Sequence, residues 1–148
     1  MKNTARLDLI TSTEYLQLPN KQKTTTKSVE KPLDKTLLNA IPQNIGTLKI
    51  AGTIYIPIIL VALVLRKAKG FDTSCASDLT KVINDHIVIN INRPKIATNN
   101  MSRELRKDNI LDLDWLSFQK NGRNPLFSLN DNWKKNWKLY FGKLAPKL

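Results

Sequence analysis

The sequence predicts a mainly α-helical domain with one small β-hairpin, a C-terminal helix and a flexible N-terminal arm. Apolar residues recur at helical spacing in several segments between residues 57 and 107. An Asn-Gly pair separates two β-favouring runs near residue 121, which is typical of a hairpin. The 148 residues allow one domain with appendages, and we expect an arm over residues 1–36 and a domain over residues 37–148.

The predicted arm is polar and rich in threonine and lysine. Between residues 20 and 35 its only aliphatic side chains are Val29 and Leu33. Such a segment buries too little apolar surface to offset the entropy lost on ordering. Residues 6–18 are more apolar and suit a short helix or strand. The first residues lack the apolar core of a secretory signal and the arginines of a transit peptide.

The first long helix is predicted over residues 57–69, after a loop and a short strand near residues 47–51. Pro57 suits the first helical turn, and Gly70 suits the position after the last turn. Residues 50–65 carry no charge, but these 16 residues include Gly52 and Pro57. A membrane-spanning helix needs about 20 apolar residues, so we expect a buried core helix and no membrane partner.

Two further helices are expected. The second follows Ser77 as N-cap, with Asp78 in its first turn and apolar residues at helical spacing after it. The segment VININ, residues 88–92, favours a short strand or an extended turn. The third helix is predicted from Pro94 to Lys107.

A hairpin and a last helix complete the predicted order of three helices, hairpin and helix. Residues 110–119, ILDLDWLSFQ, begin with the alternation of a strand, and KNGRN supplies the turn. NPLFSLN then forms the returning strand, which Pro125 would confine to a sheet edge. Residues 131–141 place Trp133 and Trp137 on an apolar helical stripe.

The third helix has residue types suited to DNA on its outer side. At 100° per residue, Ala97, Met101 and Leu105 form a core stripe. The opposite and flanking sides carry polar residues: Asn99, Asn100, Ser102, Arg103, Arg106 and Lys107. Arg pairs with guanine and Asn with adenine through two hydrogen bonds, whereas Ser and Lys more often contact phosphate. The hairpin tip adds Lys120, Asn121 and Arg123.

Residues 101–127, MSRELRKDNILDLDWLSFQKNGRNPLF, run from this basic helix directly into the hairpin. The run resembles the recognition helix and wing of the winged helix-turn-helix superfamily. The resemblance implies duplex DNA as partner, with the wing tip along the backbone or in the minor groove. It also implies a homodimer on a palindromic site. Asp108, Asp112 and Asp114 depart from the pattern and should face away from phosphate or pair with cations.

The net charge of +12, from 24 Lys and Arg against 12 Asp and Glu, favours a polyanionic partner. Nucleic acid ranks first, an anionic membrane surface second and an acidic protein third. A basic surface that results only from a lysine-rich composition is the alternative.

Catalytic chemistry is not indicated. The single thiol and the single imidazole, Cys75 and His86, lie eleven residues apart, too far to touch along a helix. Asp112 and Asp114 would share one face of a strand, but two carboxylates are a weak metal or nuclease signal. No Gly-rich phosphate loop or metal-ligand cluster occurs. We expect no enzyme, no catalytic residue, no cofactor and no metal.

The sequence thus favours a sequence-specific binder of double-stranded DNA. It would act as a transcriptional regulator, or as the DNA-targeting subunit of a mobile-element or phage-type system. Such a protein would lie in the cytoplasm, associated with the nucleoid. The alternative is a protein- or RNA-interaction module in a larger complex, with the C-terminal aromatic helix exposed as its partner site.

Overall fold

Helix α2, Tyr55–Ala68, forms the centre of the core in the computed structural model, which describes residues 32–89, 91, 93–120 and 122–148. Residues 56–65 are all buried, so the predicted core helix is confirmed. Gly70 follows the helix at φ 104°, in the left-handed region that glycine adopts without strain. Among these described residues, no helix is both long and apolar enough to cross a membrane.

The folded part begins with a short helix, α1, Lys35–Asn39. Asp34 caps it, since its carboxylate accepts a hydrogen bond from the Thr36 N–H at 2.9 Å. The helix therefore starts two residues before the predicted boundary at Leu37, which is buried. Residues 1–31 of the predicted arm lie outside the described residues.

A tight turn replaces the strand predicted over residues 47–51. Ile50 and Thr53 exchange backbone hydrogen bonds of 3.0 and 3.1 Å. Ala51 and Gly52 between them take φ angles of 50° and 82°. Positive φ at two successive residues reverses the chain and is incompatible with an extended strand.

Helix α3, Ala76–Val82, continues into a wider π-helical turn, Ile83–Ile87. The helix begins before the predicted N-cap, Ser77, because Cys75 is the capping residue. The Asp78 carboxylate reaches back and accepts a hydrogen bond from the Cys75 N–H at 3.1 Å. This reciprocal cap moves the helix start toward the N-terminus.

The third predicted helix, residues 94–107, is shorter than expected, and a second short helix follows it where the sequence predicted the approach to the hairpin. Helix α4, Thr98–Glu104, and helix α5, Asp108–Leu111, are separated by a break at Lys107, whose backbone is extended. Pro94 does not start α4, since residues 93–97 are not helical and Ala97 is the N-cap. Upstream, the segment 88–92, for which the sequence left a short strand or an extended turn open, is a turn at residues 88, 89 and 91. Residues 90 and 92 lie outside the described residues.

The hairpin consists of β1, Leu116–Gln119, and β2, Leu126–Leu129, paired antiparallel with Gln119 opposite Leu126. The first strand starts later than predicted, because residues 108–111 are helical. The connection spans residues 120–125, so the predicted tight Asn-Gly turn is a longer loop.

The second strand is an edge of the two-stranded sheet, as predicted, and its outer side contacts the helical part of the chain. Ser74, between α2 and α3, pairs with Phe127 through two backbone hydrogen bonds of 2.9 and 2.8 Å. Phe127 is buried, so the hairpin is attached to the helical part through both backbone and side chain.

Helix α6, Trp133–Phe141, closes the structure and ends at Gly142, which has φ 70°. Trp133 and Trp137 are buried in the core, whereas the sequence suggested an exposed aromatic helix as an alternative partner site. The buried indole N–H of Trp115 donates to the Tyr140 hydroxyl at 2.8 Å. The described residues are therefore mainly helical with one small antiparallel sheet, which confirms the predicted fold class at that level.

Candidate nucleic-acid interface

The inner side of α4 is fixed in the core. Met101 is fully buried and Leu105 is 2 % exposed, as their spacing of four residues predicted. The helix packs against α3, and both residues belong to the hydrophobic core. Two anchors one turn apart determine which side of α4 meets solvent.

The outer side of α4 and the residues after it are polar and accessible. Ser102 is half-buried, and the other predicted residues are exposed: Asn99, Asn100, Arg103, Arg106 and Lys107. Arg103 thus faces outward as the helical wheel predicted, whereas Ala97, expected in the core stripe, is the exposed N-cap of α4. Arg106 and Lys107 lie in the turn after the helix.

The two arginines retain most of their hydrogen-bonding capacity. Arg103 donates from Nη1 to the Asn100 Oδ1 at 3.1 Å. Arg106 makes no side-chain hydrogen bond or ion pair within the described part of the chain. Since a guanidinium carries five N–H donors, both side chains can still bind an external acceptor.

Lys107 differs from these arginines because it is already paired. Its Nζ lies 2.8 Å from the carboxylate of Glu104, whose side chain is only 16 % exposed. The carboxylate offsets the lysine charge, so Lys107 is a weaker phosphate ligand than its exposure suggests.

Of the three aspartates between α4 and the hairpin, one has side-chain partners and two have none among the described residues. Asp114 accepts a hydrogen bond from the Asn136 side-chain amide at 3.0 Å and lies 3.5 Å from the Lys135 ammonium, both on α6. Asp108 and Asp112 are exposed and have no side-chain partner in the described residues. Phosphate would be repelled from α5, so an interface must be limited to α4, its flanking turns and the hairpin.

The predicted shared face of Asp112 and Asp114 does not form, since neither residue is on a strand. Asp112 ends α5, and Asp114 lies in the following turn.

The hairpin tip is also accessible. Lys120 and Arg123 are exposed, and their side chains have no partner within the residues described. Gly122 between them has φ 59°. Asn121 lies outside the described residues. The structure thus places two unpaired cations in the loop that connects β1 and β2.

Two basic residues beside α4 were missed at the sequence level. Arg93 and Lys95 line a cleft of about 190 Å³ together with Asn100 and Tyr55. The prediction had placed Lys95 inside a helix. Cations on both sides of Pro94 were the available signal, because the residue before proline is biased toward extended backbone.

Cys75 is the N-cap of α3 and His86 lies in the π-helical turn that follows, away from each other and from α4 in the sequence. The Cys75 thiol lies 3.2 Å from the Asp78 carboxylate and 3.1 Å from the Ser77 hydroxyl, at the start of α3. His86 is half-buried in the π-helical turn, and burial lowers its pKa.

Comparison of the chain with protein-family models, with curated proteins and with solved structures found no match.

Proposed function

We propose that the protein binds double-stranded DNA sequence-specifically, with α4 in the major groove and the hairpin tip on the neighbouring backbone or minor groove. One observation carries this proposal. Met101 and Leu105 anchor α4 in the core, while Arg103 and Arg106 project outward with unused donors. Arginine donors of this kind recognise the O6 and N7 acceptors of guanine.

The attachment of the hairpin supports the same proposal. The pairing of Ser74 with Phe127 holds β2 against the segment that joins α2 to α3. Helix α4 packs on α3, so the reading helix and the hairpin are held by one core. The shared core fixes α4 and the hairpin relative to each other before binding, which lowers the conformational cost of binding.

The length of α4 limits how much DNA one copy reads. Its seven residues extend about 10 Å. A helix is about 10–12 Å across with its side chains, so α4 fits the major groove, which is about 12 Å wide. At about 3.4 Å per base pair, its length covers about three pairs. Selectivity then needs a second copy on a palindromic site or a larger assembly. Either a transcriptional regulator or the DNA-targeting subunit of a phage-type or mobile-element system satisfies this requirement.

The alternative of a protein-interaction module that uses an exposed aromatic helix loses its main support. Trp133 and Trp137 are 5 % and 2 % exposed and belong to the core. The charge of +12 also favours a polyanion over an apolar partner.

The test is selection of duplex DNA from a random library by the full-length protein, followed by affinity measurements on the selected and a scrambled duplex. The double variant Arg103→Ala, Arg106→Ala should lose the preference for the selected duplex. Each lost guanine contact should reduce discrimination by about 1–3 kcal/mol.

The matched control is Lys138→Ala, Lys143→Ala, which removes the same charge from exposed positions in and after α6. It should keep the sequence preference. Failure of the wild-type protein to bind any duplex at low salt would reject the proposal, as would a preference for single-stranded or duplex RNA. An unchanged preference in the arginine variant would reject α4 as the reading element.

A further inference from the structure

The cleft in front of α4 has a polar rim and an apolar floor. Arg93, Lys95 and Asn100 line the rim and are exposed. Ile58 and Val88, which line the floor, are 1 % and 2 % exposed. The residues that line the cleft include two cations and no carboxylate. The electrostatic potential at the rim is therefore positive.

The loop that carries these cations is held in place at both ends. The Arg93 N–H donates to the Val88 carbonyl at 3.1 Å. The Asn84 side chain donates to the Ile96 carbonyl and accepts from the Ile96 N–H, both at 2.8 Å. A loop fixed in this way loses little conformational entropy when a ligand binds.

The cations are available to an external anion. The side chains of Arg93 and Lys95 make no hydrogen bond or ion pair with any residue that the structure describes. They flank Pro94 in a non-helical segment, and both line the same cleft. Both cations are therefore within the reach of one anionic group at the rim.

The cleft is too small for a typical small-molecule ligand. Its volume of about 190 Å³ is below the range of about 300–1,000 Å³ that is typical of small-molecule sites. Part of a larger molecule fits better, provided that it places an anionic group at the cationic rim and an uncharged carbon surface on the apolar floor. A phosphodiester with its adjoining sugar has both properties.

The cleft is continuous with the proposed reading surface. Asn100 lines the cleft and also accepts the hydrogen bond from Arg103. A duplex read by Arg103 therefore brings its backbone close to Arg93 and Lys95. We infer that this cleft binds a backbone phosphate and the adjoining sugar of the duplex, an inference that rests on the proposed function. The contact would position the protein on DNA without reading sequence.

The test compares the double variant Arg93→Gln, Lys95→Gln with the wild type on a selected and a scrambled duplex at several salt concentrations. Affinity for both duplexes should fall by the same factor, so their ratio should not change. Loss of two phosphate contacts should make the slope of log affinity against log salt shallower by about 1.8. The control is Lys138→Gln, Lys143→Gln, whose slope should change less.

Direct contact is tested by replacing single phosphates of the selected duplex with neutral methylphosphonates. One or two replacements should weaken wild-type binding and leave binding by the loop variant unaffected.

Each failure has its own signature. An unchanged salt slope and affinity, or an equal change in the control, would overturn the cleft assignment and leave the α4 proposal intact. If the variant instead lost its preference for the selected duplex but bound the scrambled duplex as tightly as the wild type, Arg93 and Lys95 would be contacting bases. That result would also overturn the cleft assignment. A wild-type protein that binds no duplex would overturn both proposals.

Discussion

His86 illustrates how burial of one residue makes stability depend on pH. Burial is the main cause that lowers the pKa of His86, and the positive charge of Lys69 lowers this pKa further. The unfolded chain takes up this proton near the ordinary pKa of 6.5, and the folded chain does so only at lower pH. Protons therefore bind preferentially to the unfolded state in that interval.

We expect the free energy of unfolding to be fully retained above pH 6.5 and to fall as pH drops below it toward the folded-state pKa. Urea unfolding between pH 8 and pH 5 measures this. His86→Gln should flatten the profile in that interval. The pKa of Asp85 is lowered chiefly by the hydrogen bond that Lys81 donates to it, so the titration of Asp85 itself changes stability only below about pH 3.8, outside this interval. An equal pH dependence in wild type and His86→Gln would contradict the assignment.

At the same scale, the sequence predicted which residues of α4 are exposed but not which are paired. Helical spacing alone places Met101 inward and Arg103 outward. The 2.8 Å ion pair of Lys107 with Glu104 depends on the break after α4, which no periodicity indicates. The loop cations Arg93 and Lys95 were missed for a similar reason. Asn84, twelve residues before Ile96, holds this loop in its non-helical conformation, and no local pattern indicates that contact.

Among the elements, α6 packs its aromatic stripe into the core and turns its lysines outward. Trp137 is 2 % exposed, and its ring centroid lies 4.8 Å from that of Phe141 in an edge-to-face contact. The contact with Phe141 lies within α6, and the burial of the Trp137 indole in the core attaches the helix to the rest of the domain.

We expect Trp137→Ala to lower the free energy of unfolding by about 3–5 kcal/mol, because it leaves a large cavity in the core. Chemical denaturation gives the value. Leu139→Ala on the same helix is the control, since Leu139 is 74 % exposed and its loss should cost no more than about 0.5 kcal/mol. Similar losses for both variants would show that α6 is not held by its aromatic face.

The ends of helices and strands were predictable only where a residue at the boundary itself determines them. Gly70 correctly indicated the end of α2, since a left-handed residue is needed there. Pro94 failed as a start signal for α4, because the hydrogen bonds of Asn84 keep the following residues out of the helix. The hairpin was predicted from its alternation and its Asn-Gly pair. The pairing of β2 with Ser74 connects residues 53 positions apart, and no local pattern encodes it.

For the whole domain, Arg66 near the end of α2 connects the helices with the hairpin attachment. Its Nε donates to the Ser74 hydroxyl at 2.8 Å, its guanidinium lies 3.4 Å from Asp78, and it covers the ring of Phe71 at 4.0 Å. Ser74 is 1 % exposed and carries the backbone pairing to β2. One side chain thus joins α2, the start of α3 and the segment that holds the hairpin.

We expect Arg66→Met to lower the free energy of unfolding by about 1–3 kcal/mol, because the buried Ser74 hydroxyl loses its donor. Hydrogen exchange at the paired N–H groups of Ser74 and Phe127 should also become faster, since the hairpin attachment opens more readily. Denaturation and site-resolved exchange measure the two effects.

The neighbouring Lys67→Met is the control. The 3.9 Å ion pair of Lys67 with Asp72 is exposed, so this substitution should lower the free energy of unfolding by less than about 1 kcal/mol and leave exchange unchanged. If exchange at Ser74 and Phe127 in Arg66→Met matched the wild type, the hairpin would be held by its backbone pairing and the burial of Phe127 alone. The relative position of α4 and the hairpin, on which the DNA-binding proposal depends, would then not involve Arg66.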